Sequence, residues 1–333
     1  MSLPRGHDTR PPALGCALAL LLVGTAGRAA EATVESRPGP PDGGTAASAS
    51  RDAGAGWPLP DVPADVAWLS QEARTLEEAA EPLRQLRPGG ERLKAVHDLV
   101  VLRLSYLPGA PAQAQDARTA FARRTGNCEG YARLVVELAR LVGEQAVYVP
   151  GLALEPGGVT PVWHAWNAVR LDGRWALLDA TFDDPRLTRE GAPAGESYRT
   201  DYLFIPPEVA VLDHLPADPR WQLLPRPVSR RDFARPHPAR ASSVRQGLVA
   251  LSPSPGPVPA GQPLEVRLAN PRRRFVLVTL DQVSCGLGDE PEVRVACPAP
   301  TPGPRRVQVF TNAEETGWYL SVLSFEVVAV VPQ

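Results

Sequence analysis

The sequence predicts an α+β fold, helices first and an antiparallel sheet after, followed by a separate all-β unit. Three observations lead there. Between residues 61 and 142 apolar residues recur at steps of three and four, the spacing of a helix face. From Val147 to Thr181 the pattern changes to short strand-like runs, two of them joined by Asp172-Gly173, a strong hairpin signal. Beyond about Arg240 helical periodicity is gone, and β-rich runs recur between proline and glycine turns. A chain of 333 residues agrees with more than one domain.

The elements follow in order. Arg5 and Arg10 precede an apolar run, Ala13 to Val23, too short to span a bilayer. Ala30-Glu31-Ala32 offers a small-x-small cleavage site, with Gly27-Arg28-Ala29 as a second option. Residues 1–32 therefore read as a signal peptide, and the protein as exported, to a periplasm, the cell surface or beyond. A retained signal anchor is the alternative. Cys16 precedes most of the apolar run, which argues against lipidation. With the signal removed, no membrane span is expected. Residues 33–56 hold almost no large apolar side chains and read as a disordered linker.

A first domain is expected over residues 57–240. One helix is predicted from Asp61 to about Leu86, a second from Glu91 to Ser105, and a short third from Asp116 to Arg124. A fourth starts at Cys128 and runs to about Val142. Its stripe is Tyr131, Val135, Leu138, Ala139 and Val142, with Gly143 as its cap. Strands follow at Val147–Pro150, Val162–Leu171 and Arg174–Thr181. The second domain, residues 241–333, shows runs at Gly247–Leu251, Leu264–Leu268, Phe275–Leu280, Arg306–Phe310 and Tyr319–Val330, the pattern of a small β-sandwich.

The net charge of −2 leaves no electrostatic footprint for nucleic acid or an anionic membrane. Arg272 to Arg274 read as a solvated strand end. Of four cysteines, Cys16 leaves with the signal. Cys285 and Cys297 share one segment and can pair in an oxidising compartment. Cys128 is then left over, either a buried thiol or a reactive one.

Its context favours reactivity. Asn127 is a good N-cap, so Cys128 falls in the first helical turn, where unpaired N–H donors favour a thiolate. His164 can supply an imidazolium, which lowers a thiol pKa further. With Asp172 and Gly173 as a two-residue loop, Leu171 faces Arg174, Trp166 faces Asp179 and His164 faces Thr181. His164 and Asp179 then share one face as diagonal neighbours, and the carboxylate can orient the imidazole. The oxyanion donors are read as the Cys128 N–H plus one of Tyr106, Gln113 or Gln115. Trp166 and Tyr106 are candidate walls of a substrate pocket, with Trp163 on the other side of the histidine. His97, in the second helix, reads as surface or core, His214 and His237 as structural, and Asp183 and Asp184 as turn-formers. No paired-ligand spacing suggests a metal, and no cofactor is implied.

These residues resemble the transglutaminase-like superfamily. Its three core motifs are similar to Gly126-Asn127-Cys128-Glu129-Gly130-Tyr131-Ala132, His164-Ala165-Trp166-Asn167 and Trp175-Ala176-Leu177-Leu178-Asp179-Ala180-Thr181. Asp201-Tyr202-Leu203-Phe204, with the run Asp213 to Leu224, is similar to the segment after the core in relatives of kyphoscoliosis peptidase. The resemblance implies a papain-like fold with Cys128 as nucleophile, His164 as general base and acid, and Asp179 as orienting residue. It also implies a C-terminal immunoglobulin-like β domain. The family includes crosslinkers, peptidases, amidases and inactive scaffolds. The expectation is an exported cysteine enzyme acting on amide bonds of protein or peptide substrates through a thioester, with hydrolysis slightly favoured over transfer. A non-catalytic scaffold or binding module is the alternative. Phe182 stands where many relatives have tryptophan, and Asn127 at a position that is often valine; neither is expected to touch the three chemical groups. No acidic cluster resembles the calcium sites of animal transglutaminases.

Overall fold

A computed structural model describes residues 63–109, 115–184 and 198–332. The expected signal peptide, the linker and Gln113 lie outside the described residues.

The first domain opens with helices α1 (Ala64–Glu72), α2 (Leu76–Leu83) and α3 (Gly90–Arg103). The single helix expected from Asp61 to Leu86 is thus two. Ala73 is extended, and the Thr75 hydroxyl accepts from Glu78 N–H at 3.1 Å, starting a new helix. The apolar period runs unbroken through the gap because both helices rest on the same core. Val66, Leu69, Leu76, Ala80 and Leu83 are all buried there with Val96, Leu99 and Val100 of α3. Burying each leucine or valine stabilises by about 1.5–3 kcal/mol over exposure.

Two short strands, β1 (Ser105–Tyr106) and β2 (Thr125–Gly126), pair in parallel around helix α4 (Ala117–Arg123). They deliver the chain to α5 (Cys128–Leu141), whose Tyr131, Leu134, Val135 and Leu138 complete the helical core. A four-stranded antiparallel sheet follows: β3 (Ala146–Ala153), β4 (Val162–Leu171), β5 (Arg174–Leu178) and β6 (His214–Pro216), in spatial order β5-β4-β3-β6. Helix α5 lies on this sheet, where the Asn167 amide of β4 donates to Ala132 O at 2.9 Å.

The β4–β5 hairpin has the expected register, Leu171 opposite Arg174 and Asn167 opposite Leu178. Asp172 and Gly173 both have positive φ, 48° and 78°, as a tight two-residue turn requires. Strand β5 ends three residues earlier than expected. Asp179 N–H donates to Tyr202 O at 2.9 Å, so Asp179 is the first residue off the strand.

Short helices α6 (Pro207–Ala210), α7 (Arg230–Phe233) and α8 (Ala241–Arg245) follow. The second unit has strands β7 (Val249–Ser252), β8 (Gly256–Pro259), β9 (Leu264–Ala269), β10 (Phe275–Leu280), β11 (Val283–Gly288), β12 (Glu292–Cys297), β13 (Gly303–Asn312) and β14 (Leu320–Val330). They form two sheets, β11-β10-β13-β14-β8 and β12-β9-β7. Val266, Leu268 and Val293 from one sheet share a core with Val276, Val309 and Phe325 from the other. Cys285 and Cys297 are disulfide-bonded, joining β11 of the first sheet to β12 of the second. Strands β8, β11 and β12 had no clear sequence signal; they are short and carry glycine, proline or charge.

Helix α8 links the two units. Ser242 Oγ donates to Val322 O of β14 at 2.8 Å, and Arg245 Nη2 to Leu203 O at 3.2 Å. Arg272, expected as a solvated strand end, also belongs here: its guanidinium donates to Arg245 O at 2.7 Å.

Gly151 of β3 stands opposite His164 in the ladder. A Cβ there would lie 2.3 Å from Leu215 O and 2.5 Å from Trp166 Cη2. Overpacking of this kind typically costs about 1–3 kcal/mol. Gly151→Ala is expected to lower the unfolding free energy by about 1–3 kcal/mol or more, checked by calorimetry as a reduced thermal midpoint. Replacing Cys285 and Cys297 together by alanine is expected to destabilise the β unit by about 2–3 kcal/mol, read by denaturant unfolding.

Candidate active site

The motif around Cys128 is explained residue by residue. Gly126 ends β2 and passes close to Gly130 Cα. Asn127 caps α5: its Oδ1 accepts from Glu129 N–H at 3.0 Å and Gly130 N–H at 3.3 Å. Such a cap is worth about 1 kcal/mol. Cys128 is therefore the first residue of the helix, where the macrodipole favours a thiolate. Glu129 faces outward and pairs with Arg133 at 2.7 Å. Gly130 admits Gln115, whose Oε1 lies 2.7 Å from where a Cβ would be. That same oxygen accepts from Asn127 N–H at 3.0 Å. Tyr131 donates its hydroxyl to Asp184 Oδ2 at 2.5 Å, tying the helix to the loop after β5.

Cys128 is outside any disulfide, is 4% exposed and packs with Ala132, Tyr148 and Ala165. Ala165 is the neighbour of His164 on β4. His164 donates Nε2–H to Asp179 Oδ2 at 2.6 Å, and both are buried. Nδ1 is the ring nitrogen that the carboxylate leaves to other partners. The other oxygen, Asp179 Oδ1, accepts from Thr181 N–H at 2.9 Å and Phe182 N–H at 3.3 Å. The His–Asp pair expected from the hairpin thus exists, although the acid has left the strand.

The structure adds a residue that sequence reasoning had set aside. His214 of β6 donates Nε2–H to the same Asp179 Oδ2 at 3.0 Å, and its Nδ1 pairs with Asp213 Oδ1 at 2.7 Å. Its contacts join it to the His164–Asp179 pair. The adjacent Asp213-His214 pair was the available signal, but nothing in one dimension brings β6 to β5. Phe182 also departs from expectation. Its ring lies 4.4 Å from the His164 ring, so it packs directly on the imidazole. Trp166, expected to line a substrate pocket, is 1% exposed and sits behind His164 with ring centroids 6.0 Å apart. Strand alternation puts it on the inner face with His164, and Trp163 on the outer face, 60% exposed. Tyr106 stands opposite Gly126, half-buried, with its ring tilted against that of Tyr131 at 6.4 Å.

Electrostatics follow from these contacts. Burial alone would raise the Asp179 carboxyl, but the His164 and His214 imidazoles outweigh it and hold it well below the usual carboxylate range. Burial alone would lower His214; its bonds to Asp179 and Asp213 win and push it up to about 9. A second buried cluster repeats the design. His97, far from surface exposure, sits 3.0 Å from both Asp98 and Asp183 and is likewise raised to about 9, burial being outweighed by the two carboxylates. Asp183 also accepts from Tyr202 N–H at 3.0 Å. Asp183 and Asp184 therefore shape the turn, as expected, and anchor it too.

His164, Asp179 and His214 are the three-residue group, among the described residues, whose ligand atoms lie within 4.8 Å of one another. Their 2.6 and 3.0 Å nitrogen–oxygen separations are hydrogen-bond lengths. Ligands about 2.1 Å from a tetrahedral ion would stand further apart, at roughly 3.3–3.5 Å. The arrangement is that of shared protons.

With this geometry in hand, comparison with known proteins becomes informative. Residues 77–180 match the family model of the transglutaminase-like superfamily. Over this segment the chain is similar to the core of that superfamily. The stretch contains Cys128, His164 and Asp179. Kyphoscoliosis peptidases from Mus musculus and Homo sapiens are each 30% identical to the chain over 189 residues, covering 53% of this chain and 28% of each relative. The Lim and transglutaminase domain protein ltd-1 of Caenorhabditis elegans is 28% identical over 114 residues, 32% of this chain and 15% of that protein. The aligned region thus spans less than a third of these relatives' length. Two solved structures are also similar: a putative cysteine protease from Cytophaga hutchinsonii, 22% identical over 38% of this chain and 46% of that one (TM-score 0.28), and a TGase, 20% identical over 36% and 34% (TM-score 0.26). No helix among the described residues is long and apolar enough to cross a membrane.

The signs of the shifts set a pH dependence of stability. His97 and His214 have folded values raised above the ordinary histidine value near ~6.5, so their stabilisation is complete below that pH and is lost as pH rises through about 9. Asp179 is depressed, so its contribution is present above about pH 4 and fades as the pH falls further. Urea midpoints are expected to decline between about pH 6.5 and 9, and His97→Gln should flatten that decline.

Proposed function

We propose that this protein is an exported cysteine enzyme that attacks amide bonds of protein or peptide substrates. The observation that carries the reading is the Cys128 thiol, outside any disulfide, in the first turn of α5 and packed on Ala165, whose neighbour on β4, His164, is held by a buried carboxylate at 2.6 Å. In this reading the His164 imidazole takes the Cys128 proton, and the thiolate adds to the substrate carbonyl carbon. The oxyanion is met by the Cys128 N–H and by the amide of Gln115, anchored one residue away at Asn127. His164 then gives its proton to the departing amine, leaving a thioester. Water, activated by His164, attacks the thioester and releases the acid and the free thiol. An amine in place of water would give transamidation. Hydrolysis is the preferred outcome because water is the default acceptor. Asp179 orients the imidazole and stabilises its charged form.

The two-sheet unit is proposed to be an immunoglobulin-like sandwich that positions substrate or a partner. Export agrees with the bonded Cys285 and Cys297, a pairing that persists in oxidising compartments. The match to kyphoscoliosis peptidases supports peptidase over crosslinking chemistry. One observation favours a second reading, a non-catalytic binding module: the Cys128 side chain has little exposure, so substrate must gain access by movement around it.

Alkylation separates the two. Cys128 is expected to react with iodoacetamide at pH 6 well above the rate of a free thiol, whose pKa lies near ~8.5. Cys128→Ala is expected to remain folded and to lose all hydrolysis of a peptide-amide library read by mass spectrometry. A wild-type thiol no faster than free cysteine would sink the enzymatic reading. Product masses with and without an added primary amine distinguish hydrolysis from transfer.

A further inference from the structure

Asp179 accepts four hydrogen bonds. Thr181 and Phe182 N–H groups fill one oxygen; His164 and His214 share the other. A carboxylate has about four lone-pair sites, so its orientation is fully determined by these donors. Two come from the backbone just after β5. His214 comes from β6, on the far side of β4 and β3 in the sheet. Among the described residues it is the one donor, besides His164 itself, that reaches the acid from a separate element.

The His214 ring is fixed in place. It is 2% exposed, and the rings of Trp166, Phe182 and Tyr202 surround it at 4.8, 5.0 and 5.5 Å. Its second nitrogen is bound to Asp213 at 2.7 Å. Asp213 in turn accepts from the Tyr202 hydroxyl at 3.0 Å and from Ala241 N–H at 2.8 Å. Ala241 opens α8, whose next residue, Ser242, bonds Val322 of the β unit. A continuous hydrogen-bonded path therefore leads from His164 through Asp179, His214 and Asp213 to the junction between the two units.

We propose that His214 is a positioning residue: clamped by Asp213, it holds the Asp179 carboxylate in the orientation that aims His164, and it ties that orientation to the docking of the β unit. The proposal rests on the roles given above to Cys128, His164 and Asp179. The charged groups around His214 are Asp179 and His164 from the hairpin, Asp213 beside it, and Arg240, which acts on Asp213 and Tyr202 from the interdomain segment. Both of its nitrogens face carboxylates, so the ring carries two protons, consistent with the raised value near 9. Charges along the path then alternate, and neither carboxylate is buried without a cation.

The test uses two charge-matched pairs of substitutions in the full chain, since His214→Ala alone would strand Asp213. His214→Ala with Asp213→Asn removes the donor to Asp179; His214→Gln with Asp213→Asn keeps an amide N–H in its place. In the alanine pair, Cys128 alkylation at pH 6 is expected to fall about tenfold or more, the usual scale for a group supporting a reactive site, with its acid inflection moving up toward that of a free thiol. The glutamine pair should recover most of that rate. A merely structural role would lower unfolding midpoints in both pairs without moving the inflection. A folded alanine pair with the wild-type pH profile would overturn the proposal and leave the enzyme reading standing. A wild-type thiol without enhanced reactivity would sink the reading itself. A second measurement needs no variant of His214: in Cys128→Ala protein at pH 7, proton NMR should show both ring N–H protons of His214 and a downfield His164 Nε2–H. A single exchangeable His214 ring proton would refute the proposal even where the paired variants do not fold.

Discussion

The structure depends on one carboxylate. Asp179 is buried, ionised and surrounded by four donors, two from backbone and two from imidazoles. An unpaired charge in that position would be untenable; a fully paired one is stable and rigid. Everything that makes the site specific follows from meeting this demand. The hairpin must stop at Leu178 so that the backbone beyond it can turn its N–H groups inward. Gly151 must lack a side chain so that Trp166 and β6 can close around the imidazoles. The segment from Tyr202 to His214 must return across the sheet to bring the second histidine.

The same logic is repeated a few residues on. Asp183 and Asp184 are buried beside Asp179, and each has its own partner: His97 from α3 and Tyr131 from α5. The loop after β5 is thus held by α3, α5 and the later segment containing Tyr202. Removing one member of such a network typically costs about 3–5 kcal/mol because the remaining charge is stranded. Buried acid–histidine pairs of this kind add little to net stability. What they supply is a single arrangement of the loop that carries the site's acid.

The two-sheet unit is part of this arrangement. Helix α8 reaches both ways, to Asp213 in one direction and to Val322 in the other. The interface is polar and built on specific hydrogen bonds, with Arg245 and Arg272 satisfying carbonyl groups across it. A junction made this way fixes orientation more than it contributes affinity. It links the acid end of the candidate site to a unit that carries none of Cys128, His164 and Asp179.

By itself the sequence determined the local features. The cap at Asn127 is set by an Asx side chain before an apolar stripe, and the β4–β5 register by a turn that needs two positive φ values. From these came Cys128 at a helix tip and the pairing of His164 with Asp179. The Thr75 break was also written there, in a threonine three residues before Glu78, but the unbroken apolar period hid it. Only the tertiary structure decided the rest. His214 lies 35 positions from Asp179, and its role comes from a strand order in which β6 joins the far edge of the sheet. Phe182 meets the imidazole because the chain leaves the ladder at Asp179, and Trp166 lies behind it because Gly151 makes room. Short-range chemistry repeats along the chain and can be read from it; the convergence of distant charged groups on one carboxylate is a property of the packed molecule.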